Sequence, residues 1–373
     1  MTVADAVSLA ELVELVAASS LQLDVGLDLL DSDDRLIEDI SADLVASGGV
    51  VERDAGASIH GTCRLAITRD LQWGSQRLRP WMRLSSSAWS ARWNLGVFLP
   101  ATPERRAGET PATFEVTGFD KLSVLNVCHG SSYSAAAGAA PLTLVADLLA
   151  AAGESAVAID QAGAGTVLPA RVVWPFEAST TTLGIVNDLL LLAGYRSLWC
   201  DRDGVYRSEP DRAASERAVS WWFDADDVFA TTVTQRRMMS ADFFAAPNRW
   251  VFVRNDPAQA APTEGAGMFT VVNQSDGPTS VDARGRTIST VVRLDAADQA
   301  ALVTQGNRIV EAGKKVARRL SIGTSPVPAL WHGDVVTYAD AALGLSGSRW
   351  LVTGWRLPLD GGDMALEMTE VQT

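Results

Sequence analysis

The stretch from Asn248 to Leu320 switches its hydrophobic period once, from two to about 3.6, and that confines it to a sheet carrying a single helix. Asn248-Arg-Trp-Val-Phe-Val-Arg254 reads as a strand, Met268–Asn273 as a second, Gln274–Ser280 as a polar turn, and Arg286–Leu294 as a third strand. One long amphipathic helix is expected over 295–320. Asp295 can cap its start and Asp298 falls in its first turn, where the helix dipole favours negative charge. Leu302, Ile309, Val316 and Leu320 recur at helical spacing, with the small Gly306 and Gly313 on the same side. Lys314, Lys315, Arg318 and Arg319 fill the end that favours cations. A β-rich segment with one helix and no catalytic cluster beside it suggests an assembly part rather than an enzyme.

The remainder divides by pattern. Leu21, Leu23, Val25, Leu27 and Leu29 alternate with Gln22, Asp24, Gly26 and Asp28, the period of a strand with one buried face. Asp31-Ser-Asp-Asp34 turns, and Arg35–Ile40 returns. Cys63, Leu65 and Ile67 point inward from another strand, and Gly96–Leu99 and Thr113–Thr117 add to a barrel or sandwich. From about 119 the composition changes. Pro141–Ala150 and Thr180–Ala193 read as helices ending at Gly153 and Gly194, and Tyr195–Cys200, the turn Asp201–Gly204 and Val205–Ser208 read as a hairpin. After 211 strands return, ending in Asp334–Tyr338, Arg349–Arg356 and an alternating strand with Met364, Leu366 and Met368. The expected class is mainly β with an α/β insert. Its domains are a first tube-like β-barrel with an N-terminal helix at 1–118, a small α/β domain at 119–210, and a second tube-like β-barrel with the long helix at 211–373. No residue-level repeat links the two β regions.

Composition excludes several functions. Thirteen carboxylates against Arg35 and Arg53 give residues 1–60 a balance of −11 within a net charge of −14, which disfavours DNA binding by phosphate neutralisation. An amphipathic helix is expected in Met1–Val16, with Leu9, Leu12, Val13 and Val16 on one face. The absence of early Lys or Arg argues against a signal peptide there, and no apolar run approaches a membrane span. Three scattered cysteines make no disulfide framework.

Chemistry is sparse. Three histidines leave few catalytic options, and no nucleophile elbow, zinc-protease helix, phosphate-binding loop or dinucleotide fingerprint occurs. His60 and Cys63, with Cys128-His129, could be imagined as a zinc site, but in a strand the first two point to opposite faces. Asp31-Ser-Asp-Asp34 with Glu38 lacks the central glycine of a calcium loop and is better read as a turn. Acids are plentiful, but their spacing in sequence does not locate a glycosidase pair. No catalytic, cofactor or metal residue is assigned. Trp73, Trp81, Trp89 and Trp93, interleaved with Arg77, Arg79, Arg83 and Arg92, fit either a carbohydrate platform or a core with a subunit interface; the second is preferred.

Asp70-Leu-Gln-Trp-Gly74, Arg79-Pro-Trp-Met82, Asn94–Arg105, Phe114–Asp120, Ala246–Val253 and Thr270–Ser280 resemble segments of the minor tail proteins of long-tailed actinobacterial phages. The helix, Gly194-Tyr195 and Asp201–Gly204 unit is similar to one in the wider family of tail hubs, baseplate hubs and secretion-system spike hubs. The resemblance implies a non-enzymatic homotrimer at the distal tail tip of the virion, made in the host cytoplasm. Each subunit would give two tube-like barrels, so three subunits would match a six-fold tube to a three-fold tip. Implied partners are the tail tube or distal tail protein ring, the tape-measure protein, and tip spike or fibre proteins, with DNA passing through the lumen. Asp28, Asp33 and Asp34 are candidates for an acidic lumen that repels DNA. Since the chain ends at Gln372-Thr373, spike or wall-cleaving domains would lie on other chains. A wall-carbohydrate-binding tail protein is the alternative, and a wall hydrolase a more distant one.

Overall fold

The computed structural model describes residues 21–371 apart from 87–89, 107–111, 228–231, 245, 255–261, 295, 297, 315 and 317. The expected helix in Met1–Val16, Trp89, Asp295 and Lys315 lie outside the described residues. The fold is mainly β with a small helical insert. Two compact units divide it: Met1–Arg237 with Ser321–Met368, and Met238–Leu320 with Thr369–Thr373.

The first unit opens with β1 (Gln22–Leu30), β2 (Leu36–Asp39), β3 (Leu44–Asp54), β4 (Gly61–Ile67), β5 (Arg77–Ser85), β6 (Ser90–Asn94), β7 (Phe98–Arg106) and β8 (Thr113–Asp120). An insert follows: α1 (Leu122–Leu125), β9 (Tyr133–Ala135), α2 (Pro141–Ala151), β10 (Val157–Ile159), β11 (Val172–Trp174), α3 (Thr182–Leu192), β12 (Trp199–Cys200) and β13 (Tyr206–Ser208). Its apolar side chains, from Leu122 through Leu149 and Leu189 to Tyr206, close a core of their own. Thr181 caps α3 by accepting from the Gly184 amide, and Gly194, at φ 77°, ends it in a conformation that favours glycine.

The chain then forms β14 (Val219–Asp224), β15 (Val233–Ala241), β16 (Arg249–Arg254), β17 (Thr263–Glu264), β18 (Gly267–Val272), α4 (Val281–Arg284), β19 (Ser289–Leu294), α5 (Gln299–Lys314), β20 (Arg318–Thr324), β21 (Val335–Asp340), β22 (Leu345–Pro358) and β23 (Met364–Glu370). Among the described residues, fourteen strands share one sheet in the order β15-β20-β23-β22-β3-β4-β8-β7-β5-β1-β2, with β6 on β5 and β21, then β14, on β22. The two β regions are joined where β22 pairs antiparallel with β3, from Gly354 opposite Asp54 to Pro358 opposite Val50. One continuous sheet therefore runs through segments that the sequence separates by more than two hundred residues.

Unit two holds the sheet β17-β18-β16-β19. Strand β16 is antiparallel to β18 and parallel to β19, and α4 lies in the crossover that a parallel pair requires. The polar turn holds itself together: buried Asn273 donates to the Asp276 carbonyl and accepts from its amide, and Ser280 caps α4. The long helix packs Leu302 and Val310 on Trp250 and Phe252.

That helix is shorter than expected and starts differently. Asp298 supplies the cap, accepting from the Ala301 amide at 2.8 Å, and the described helix runs from Gln299 to Lys314. Arg318, Arg319 and Leu320 belong to a strand, where buried Leu320 and Ile322 alternate with Arg319 and Ser321; this period of two displaces the helical one. The long helix lies in the second unit with the sheet β17-β18-β16-β19. Gly306 and Gly313 do share the packed side. A β-carbon at Gly306 would sit 2.9 Å from Phe252 Cδ2, and one at Gly313 3.0 Å from Trp250 Cζ2. Gly306→Ala should therefore destabilise the second unit by about 1–3 kcal/mol despite alanine's higher helix propensity. Urea unfolding of the variant tests this.

Candidate functional site

Arg53 is where the three chain regions meet. Strand β3 carries it inward with its side chain fully buried. Its Nη1 donates to Asp120 Oδ2 at 3.4 Å, at the end of β8, and to the Cys200 carbonyl at 3.3 Å, in the insert. Its guanidinium carbon lies 3.9 Å from the centre of a Trp331 ring, from the C-terminal β region. Two glycines make the room: a β-carbon at Gly96 would stand 2.6 Å from Arg53 Nη2, and one at Gly61 2.8 Å from Asp120 Oδ2. Burial lowers the Arg53 pKa and Asp120 opposes that; burial raises the Asp120 pKa and Arg53 opposes it. Among the described residues, Arg53 Nε and Nη2 find no acceptor. Beside them, the His60 and His332 rings meet edge to face at 5.1 Å.

A second buried network joins the first β region to the insert. Lys121 Nζ reaches Asp34 at 2.5 Å and Glu154 at 2.7 Å, and Arg77 contacts the same two carboxylates at 2.7 and 3.0 Å. Asp34 has φ 64°, uncommon for a residue other than glycine, and both cations hold its carboxylate there. Tyr206 donates to the Lys121 carbonyl at 2.7 Å. A third group is Asp28, 1% exposed, between Arg79 at 2.8 Å and Arg92 at 2.5 Å.

These networks change the reading of the acidic turn and of the tryptophan run. Asp28 was expected on the outer face of β1, but the strand is buried on both faces from Gly26 to Leu30 because two arginines neutralise the carboxylate. Asp28 and Asp34 are thus charge-compensated inside the fold. Asp33 is exposed, with Arg35 3.2 Å away. Trp81 and Trp93 are buried, and Trp73 donates to Asp70 at 2.9 Å. A buried Trp81 cannot stack on a sugar; Arg83 and Arg92 lie over its ring instead.

Zinc's imagined ligands are scattered. Cys63 is buried in the sheet, and burial pushes its thiol up to about 12. Exposed Cys128 donates to the Glu177 carbonyl, and His129 Nδ1 lies 3.1 Å from Thr182 Oγ1. Among the described residues, no group of three or more His, Cys, Asp or Glu side chains could hold a metal ion. The sequence reading missed Arg53, Asp120, Lys121, Glu154, Trp331 and His332. One usable signal was Asp120-Lys121, an adjacent charge pair set between the apolar Phe119 and Leu122, in a chain with three lysines.

No protein-family model and no curated protein sequence matches the chain. Solved structures do. The tail protein from Neisseria meningitidis MC58 superposes with a TM-score of 0.64 at 13% identity, covering 93% of this chain and 96% of that one. The 43 kDa tail protein of prophage MuSo2 from Shewanella oneidensis gives 0.61 at 13%, over 94% and 98%. A chain of the Francisella PdpA–VgrG complex gives 0.55 at 9%, over 95% of this chain and 58% of its own length. The fold is that of phage tail proteins. It extends over nearly the full length of the two tail proteins just named.

Proposed function

We propose that this protein is a structural hub at the distal tip of a phage tail, of the kind carried by long-tailed actinobacterial phages. The supporting observation is the likeness to whole tail proteins over more than nine-tenths of both chains, insert included. The single sheet adds a physical reason. The strands of its first half, within 22–120, and of its second, within 219–241 and 318–370, join as one sheet at the β3–β22 pairing, and in this reading each half is one tube-like unit. Three copies present six such units to a six-fold tube while keeping a three-fold face for the tip. In this reading the partners are a second and third copy, the tube or distal tail ring, the tape-measure chain and a spike or fibre, with DNA as a passenger. Mass photometry of the full chain should show a species of about three times 39.7 kDa, alone or on mixing with its tube-side neighbour. A strictly monomeric protein in the presence of that neighbour would overturn the reading.

A further inference from the structure

We propose that His60 and His332 form an acid-operated latch at the Arg53 seam: with both rings neutral the three chain regions stay packed, and a proton on either ring opens the seam.

The geometry places the two rings where a positive charge has the least to gain. His60 sits just before β4 and His332 in the turn before β21, so contact between them ties the first β region to the last. Among the described residues neither Nδ1 has a hydrogen-bond partner, although both are buried. The His332 ring lies 5.8 Å from Trp331, and Trp331 lies 5.8 Å from Trp355, so the wall is aromatic. The charged surroundings come from every element in contact. Strand β3 contributes Arg53 and Asp54. The insert and its exit contribute Arg196, which packs against Gly333; Arg202, 5.3 Å from the Trp331 ring; and Arg217, which donates to the Gly333 carbonyl at 3.2 Å. Asp120 and Glu209 are engaged by Arg53 and Arg196 respectively. Asp334 accepts from the Trp331 amide at 2.7 Å. The arginines therefore dominate: Asp120, Glu209 and Asp334 are already engaged, and Asp54 acts against them at His60.

Burial, then Arg53, holds His60 down to about 4, with Asp54 opposing. Burial, then Arg53, His60 and Arg196, holds His332 well below its usual value. The sign follows from linkage. An unfolded histidine takes up its proton as pH falls through about 6.5, while folded His60 refuses it until near 4 and folded His332 is held well below its usual value. The stability that neutral His60 contributes is complete above about pH 7 and is lost progressively as pH falls from about 6.5 to about 4, and His332 acts in the same direction.

Urea unfolding of the full chain from pH 7.5 to 4.5, with hydrogen exchange on the same samples, tests the latch. Near pH 5 each neutral histidine adds about one proton to the uptake on unfolding. His60→Gln and His332→Gln should each lower that uptake by about one; His129→Gln, away from the seam, is the control. In the wild type, amides of 53–62, 196–202 and 331–335 should gain exchange by about tenfold at pH 4.5, after correction for intrinsic rates, ahead of the remaining sheet. His60→Gln should blunt that gain. If His332→Gln fails to fold, the half-buried His60 site decides the matter alone. An unchanged proton uptake in His60→Gln, or exchange that rises uniformly across the unit, would overturn the proposal.

Discussion

Arg53→Met will destabilise the first unit by about 3–5 kcal/mol at neutral pH, the range seen when one partner of a buried ion pair is removed. The loss does not come from a strong bond. Arg53 meets Asp120 at 3.4 Å through one nitrogen, and its other two find no acceptor among the described residues. It comes from what remains. Asp120 is fully buried, and without the cation only backbone amides such as that of Leu122, at 3.1 Å, support its charge. Its pKa, already raised by burial, will rise further. A carboxyl whose folded pKa lies above its unfolded value is penalised at high pH, so the deficit in Arg53→Met should shrink as pH falls through that raised value. The double change Arg53→Met with Asp120→Asn removes the stranded charge and should be more stable at neutral pH than Arg53→Met alone. Urea unfolding across pH separates these outcomes. Equal stability of single and double variants would show that shape alone, and not charge, holds the seam.

What the sequence revealed and what it hid follow from the range of the forces involved. Strand β4 was legible because Cys63, Leu65 and Ile67 alternate with polar neighbours, and its burial alternates accordingly. The helix at Pro141–Ala151 was legible from its proline start and from Gly153. These are local signals. The β3–β22 pairing joins Arg53 to Trp355 across three hundred residues, and no local pattern announces it. Charge was misread for the same reason. The first sixty residues look like an acidic face, yet Asp28 and Asp34 are cancelled by Arg77, Arg79, Arg92 and Lys121, all later in the chain. The helix end was misplaced because Val316 and Leu320 fit a period of 3.6 by chance, while Leu320-Ser-Ile-Gly-Thr324 fits a strand. The buried arginine had no sequence signature at all, since its acceptors lie 67 and 147 residues away.

Lys121→Met should produce a loss of similar size, about 3–5 kcal/mol, but confined to a different place. The lysine side chain is fully buried and contacts both Asp34 and Glu154, 12% and 5% exposed. Methionine fills much of the same volume, so packing against the Tyr206 ring, 4.9 Å from the ammonium, is largely kept. Charge is not kept. Two carboxylates then share Arg77 alone, and Asp34 loses one of the two cations that hold its left-handed backbone. Glu154 follows the insert's first long helix and Asp34 sits in the β1–β2 turn, so the broken link is the one between insert and sheet. Residues 122–208 should accordingly lose hydrogen-exchange protection and become sensitive to protease before β3, β4 and β8 do. Lys121→Arg keeps the charge in a larger head group, so part of the protection should return. Simultaneous loss of protection in the insert and in those strands would mean that the network supports the whole unit, not the attachment of the insert.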